Sequence, residues 1–126
     1  MSSLPPVDDA GPIDLDHLRR MTLGDAELER EVLAMFARQA RHLAASLATN
    51  PPETNALVHT LKGSARAIGA IRVAEAAAAL ERTIRDGQGH AQAQAQAQAL
   101  GVLRHTVAEA DAAIASLLRG STSRHG

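Results

Sequence analysis

Leu100, Leu103, Val107, Ala110, Ile114 and Leu117 alternate steps of three and four residues, and only a helix returns such positions to a single side. The same spacing recurs upstream. Leu28, Val32, Met35, Phe36, Leu43 and Leu47 mark a long helix that begins at Asp25 and is stopped by Asn50-Pro51-Pro52. Leu57, Leu61, Ala65 and Ile68 mark another from about Glu53 to Ile68, with Gly69 as its stop. Val73, Ala77, Leu80 and Ile84 mark a third from about Ile71 to Asp86, before the breaker Gly87-Gln88-Gly89. Ahead of these, Asp14 is placed to cap a short helix carrying Leu15, Leu18 and Met21, which Gly24 would end. Four long helices with short connections predict an all-α fold: an antiparallel up-down-up-down four-helix bundle with a short extra N-terminal helix.

Composition agrees with this choice. Phe36 is the only aromatic residue and β-branched residues are sparse, so the core must be built from Leu, Ile, Val, Met and many Ala. The 126 residues suffice for one domain. We expect a bundle over residues 13–119, between flexible tails at 1–12, rich in Pro and Gly, and at 120–126, Gly-Ser-Thr-Ser-Arg-His-Gly. The run Ala91 to Ala99 alternates Ala with Gln. That is formally the period of a strand, but both residues favour helix, so a solvated extension of the last helix is expected, with disorder as the alternative.

Several function classes lose support at once. A formal net charge of −1 offers no bulk attraction to nucleic acid, and a single aromatic cannot build a base-stacking platform. Without cysteine there is no disulfide, thiolate metal site or cysteine nucleophile. No stretch approaches the ~18 apolar residues of a membrane span, and Met1 to Gly11 carries neither Lys or Arg nor an apolar run. These features predict a soluble cytoplasmic protein with no nucleic-acid or membrane partner.

One histidine stands out by its position. At about 100° per residue, His59 falls about 160° from the core stripe of its helix, so it points outward. Lys62 and Gly63, three and four residues on, share its surface, and Arg66 lies one turn further. Neutral imidazole is a good nucleophile near neutral pH, and its attack on a phosphoryl group gives a phosphoramidate still reactive enough to be passed on. Lys62, the only lysine beside twelve arginines, is placed to neutralise the transferring oxygens. Gly63 costs roughly 1 kcal/mol relative to Ala within a helix, and a missing side chain there opens room for a phosphoryl group and a docking partner. The plain alternative is an idle surface histidine beside a solvated arginine. His17, His42, His90, His105 and His125 have no comparable context and are expected at the surface. Asp14-Leu15-Asp16-His17 lacks the paired Glu-x-x-His motifs of a di-iron bundle.

The segment His59-Thr60-Leu61-Lys62-Gly63-Ser64-Ala65, followed by Ile68-Gly69-Ala70, resembles the signature of histidine-containing phosphotransfer (HPt) domains of bacterial and fungal multistep phosphorelays. The resemblance spans roughly Asp14 to Leu118. It implies a four-helix bundle that presents a phosphorylated histidine, here His59, with Lys62 and Gly63 beside it. It also implies an orienting Gln or Glu on the following helix, which maps onto Glu81. Helical projection puts Glu81 at the edge of the core stripe, where a carboxylate would accept Nδ1–H and leave Nε2 as nucleophile. Arg85 would support the phosphate patch one turn on, with Ser64 and Arg66 as docking or supporting residues; a plain i,i+4 ion pair between Glu81 and Arg85 is the alternative.

The implied partners are response-regulator receiver domains and a sensor or hybrid histidine kinase, and the implied protein is a monomeric phosphocarrier rather than an enzyme. It would have no cofactor of its own, the Mg²⁺ of transfer belonging to the receiver's acidic pocket. Consistent with this, the chain has no Walker-type or kinase glycine loop. The competing reading is a non-catalytic helical adaptor or oligomerisation bundle in which His59 is incidental.

Overall fold

Asp14 and Asp25 start the first two helices as their positions predict, because each carboxylate accepts an orphan backbone N–H of the first turn, from His17 and Leu28 respectively. The computed structural model describes residues 11–49, 51–87 and 90–123, without the side chains of 90 and 121–123. Its helices are α1 (Leu15–Met21), α2 (Ala26–Leu47), α3 (Thr54–Ile68), α4 (Ile71–Asp86) and α5 (His90–Ser123). There is no strand among the described residues. The four long helices form the expected antiparallel bundle, each packed on its two neighbours in a ring from α2 through α3 and α4 to α5 and back, while α1 touches α3.

The core is aliphatic and alanine-filled. Leu61, Ala65 and Val58 of α3, Val73, Ala77 and Leu80 of α4, and Leu103, Val107, Ala110 and Ile114 of α5 are all buried. In α2 the buried stripe is Leu33, Phe36, Ala37, Ala40, Leu43, Ala44 and Leu47. Leu28 and Met35, expected in that stripe, are instead 41% and 59% exposed. They lie about 120° and 140° from its centre, where Leu33 and the alanines do the packing.

The last helix departs from expectation at its far end. It starts at His90, so the Ala/Gln run is helical, and it continues through Gly120 to Ser123, past the boundary expected at residue 119. A glycine lowers helix propensity without removing the backbone donor, unlike proline. The expected tail residues 1–10 and 124–126 lie outside the described residues.

The connection that matters most for the site is the shortest. Only Gly69 and Ala70 separate α3 from α4. Gly69 is left-handed at φ 84, and the Ala70 N–H donates to the Ala65 carbonyl at 2.8 Å, closing the end of α3. The same glycine receives α1. The Asp14 N–H donates to the Gly69 carbonyl at 2.8 Å, and a Cβ on Gly69 would lie 2.9 Å from the Asp14 carbonyl oxygen. Gly69→Ala is therefore expected to destabilise the protein by about 1–3 kcal/mol, combining positive φ with a backbone clash. Urea unfolding checks this, and a loss below about 0.5 kcal/mol would contradict the close approach.

Candidate functional site

A two-residue turn makes α3 and α4 a hairpin whose register is nearly symmetric about Ala70. His59 stands eleven residues before that point and Glu81 eleven residues after it, so equal helical rise on the two arms brings them level. The outward position of His59 is confirmed, with 71% of its side-chain surface exposed. Its Nδ1 lies 3.0 Å from Glu81 Oε2, and Lys62 Nζ lies 2.5 Å from the other carboxylate oxygen, Oε1. One carboxylate thus bridges a ring and an ammonium.

Burial differs sharply across the trio. Lys62 and Glu81 expose only 17% and 16% of their side chains, so their pair is shielded from the solvent that weakens surface salt bridges. The hydrogen bond from Lys62 holds the Glu81 carboxyl below the ordinary carboxylate range, with the His59 contact adding to it and partial burial opposing it. Since the folded value lies below the unfolded one, the linked stability is complete above the ordinary Glu range. It is lost as pH falls through the depressed folded value. Glu81 is therefore anionic at neutral pH.

An anionic carboxylate can only accept, so the contact with His59 requires the proton on Nδ1. The lone pair of the neutral ring is then on Nε2, on a side chain that is 71% exposed. Gly63 completes the opening: a Cβ built there meets nothing within 4 Å. The protein's own packing does not demand a glycine at this position, so the absent side chain leaves free space outside the helix.

The structure brings His59, Lys62 and Glu81 into contact, with Gly63 next to them. Of the three supporting residues, Arg66 and Arg85 are on the same side and Ser64 is turned toward the core, and none makes such a contact. Ser64 is half-buried, Arg66 and Arg85 are exposed, and none forms a side-chain hydrogen bond or ion pair among the described residues. Glu81 pairs with Lys62 and His59 rather than Arg85. Arg66 instead borders a groove along the α3–α4 seam, with Ile71, Ala74, Glu75, Ala78 and Arg82.

Sequence reasoning missed the role of His17. It is half-buried, and its Nε2 lies 3.0 Å from the Ala67 carbonyl, so it helps fasten α1 to the end of α3. The signal available was the capped Asp-x-x-His turn, which carries no information about a contact fifty residues away. Of the other histidines, His105 forms a local i,i+4 contact with Glu109 at 3.4 Å, and His42 is exposed. The side chain of His90 and all of His125 lie outside the described residues. Among the described residues no group of three His, Cys, Asp or Glu side chains is arranged to hold a metal ion.

Comparison with known proteins bears directly on this geometry. A family model described as Hpt domain matches residues 31–113. Two solved structures share the fold. One is a histidine-containing phosphotransfer protein from maize, 20% identical, with a TM-score of 0.77 over 91% of this chain and 88% of its own. The other is a rice protein of the same description, 19% identical, with a TM-score of 0.78 over 96% of this chain and 89% of its own. No curated protein sequence matches the chain.

Proposed function

Because the chain belongs to the Hpt domain family, and so is a histidine phosphotransfer protein of a phosphorelay, we propose that His59 is the residue that carries the phosphoryl group. The observation that carries this assignment is the 71% exposed imidazole whose Nδ1 is held 3.0 Å from Glu81, which leaves Nε2 as the nitrogen available to attack. In the accepting direction the Nε2 lone pair attacks the phosphorus of a receiver aspartyl phosphate. The P–O bond to the aspartate breaks and the carboxylate leaves with the electron pair. In the donating direction the same steps reverse.

Lys62, held by the same carboxylate as the ring, offsets negative charge on the transferring oxygens, which is the main assistance such a reaction needs. Gly63 leaves room for the incoming group, and Ser64, Arg66 and Arg85 border the face that meets the partner. The Mg²⁺ of the reaction belongs to the receiver's acidic pocket. On this reading the protein has no catalytic activity of its own and acts as a cytoplasmic monomer between a histidine kinase and receiver domains. Among the described residues no helix is long and apolar enough to cross a membrane.

Incubation with a phosphorylated receiver domain tests the reading directly. An acid-labile, alkali-stable phosphoryl group should appear on this protein, as expected for phosphohistidine. No label from several receivers would favour the helical-adaptor reading.

Gly63→Gln gives a second check. The position is open and helical, so folding stability should be unchanged or rise by up to about 1 kcal/mol. Transfer from the receiver should nevertheless slow about tenfold, the equivalent of ~1.4 kcal/mol of steric conflict in the docked complex. Unchanged transfer rates would remove the docking explanation for the glycine.

A further inference from the structure

The relevant feature is that the group holding His59 is charged. A neutral amide at position 81 could accept the same Nδ1–H bond and fix the same tautomer, but could not stabilise a cation. Resting on the assignment of His59 as the phosphorylated residue, we propose that Glu81 is a positioning residue that also acts as the counter-ion of phosphorylated His59. It keeps the Nδ1 proton on the ring and thereby sets both the pH range of phosphoryl donation and the balance between histidine and aspartate.

The electron count makes the proton important. When neutral His59, protonated on Nδ1, attacks through Nε2, the ring gains a P–N bond and becomes cationic, with its proton still on Nδ1. When the phosphoryl group leaves, the P–N electron pair returns to Nε2 and the ring departs as neutral imidazole. If the Nδ1 proton has been lost beforehand, the departing ring is imidazolate, a far poorer leaving group. Holding that proton keeps the carrier competent to donate.

Glu81 is placed for this purpose by contact, at 3.0 Å, and by its own ionised state, which Lys62 secures through the other oxygen. A charge-assisted hydrogen bond is roughly twice as strong as a neutral one. The charged groups on the same side are Lys62 and Arg66 of α3 and Glu75, Arg82 and Arg85 of α4, with Glu75 and Arg82 lining the groove that Arg66 borders. The four cations oppose a positive ring, Glu75 offsets part of their charge from the groove, and among the described residues Glu81 is the one anion in contact with the ring. Lys62 therefore has two opposing effects: it helps the phosphoryl oxygens and draws part of Glu81's charge away from the ring.

The test uses phosphoramidate, which phosphorylates exposed imidazoles without a partner protein, on wild-type protein, Glu81→Gln and Lys62→Gln. Each phosphoprotein is then mixed with an unphosphorylated receiver over a range of pH, and transfer rate and end point are measured. In Glu81→Gln the pH above which donation falls should move down by about half to one unit, the effect of a neutral in place of a charged acceptor at a partly exposed site. At neutral pH the end point should shift about three- to tenfold from histidine toward aspartate. In Lys62→Gln the same pH limit should move up, an opposite sign that loss of ring positioning alone would not produce. A Glu81→Gln profile superimposed on wild type would overturn the proposal while leaving His59 as carrier. Absence of phosphate on His59 with both phosphoramidate and receivers would overturn the assignment of His59, and this proposal with it.

Discussion

Replacing His59 with glutamine should abolish the acid-labile phosphoryl group and reduce transfer to the level of a blank, while the melting transition stays where it is. The side chain is 71% exposed, and substitutions at such surface positions usually change stability by within about 0.5 kcal/mol. Glutamine preserves polarity and comparable bulk, but its amide nitrogen has no basic lone pair to attack phosphorus. The other half of the site persists, since Glu81 keeps its bond to Lys62. The measurement is transfer of labelled phosphate from a receiver, followed by acid and alkali treatment. Histidine-type label that survives the substitution would mean another histidine carries the group, and the site assignment would fall.

Two positions along the same helix, Leu61→Ala should do the reverse. Leu61 is fully buried on the opposite side of α3 from His59. Its truncation removes apolar contacts and leaves a cavity among packed neighbours, a change that typically costs about 2–5 kcal/mol. Small domains have about 5–15 kcal/mol in total, so the urea midpoint should fall steeply. The folded fraction should still accept phosphate, because the ring, Lys62 and Glu81 all lie outside the core. A loss under about 1 kcal/mol would mean that the bundle is not close-packed at this level. Equal loss of stability in both variants would contradict the two-faced character of α3.

The contrast explains why so much of the site was legible in the sequence. His59, Lys62 and Gly63 lie within one and a half turns of a single helix, so their shared side follows from the helical period alone. Local rules also located the capping aspartates and the stop at Gly69. The same rules misplaced Leu28 and Met35, because large apolar residues were preferred over the small ones that fill the stripe. In a bundle with one aromatic residue the alanines carry much of the packing, and Ala37, Ala40 and Ala44 give no strong signal of burial. Leu33 and Val58, both buried, complete the stripes of their helices.

Contacts between helices were legible only where a short turn fixed the register. Glu81 could be placed on the edge of α4 by projection, but its bond to Lys62, and the consequent loss of any pair with Arg85, depended on how two helices meet. His17 was harder still. It and Ala67 are fifty residues apart in sequence, and only the folding of α1 onto the left-handed end of α3 brings them together.

The sequence by itself determined the helical period, the outward direction of His59 and the neighbours it has on its own helix, because these follow from backbone geometry within a few residues. The tertiary structure decided the rest of the site. It set the α3–α4 register that places a carboxylate against Nδ1, the shelter that keeps Lys62 and Glu81 paired, and the docking of α1 at Gly69. These depend on close packing between distant segments, which fixes distances that no local pattern encodes.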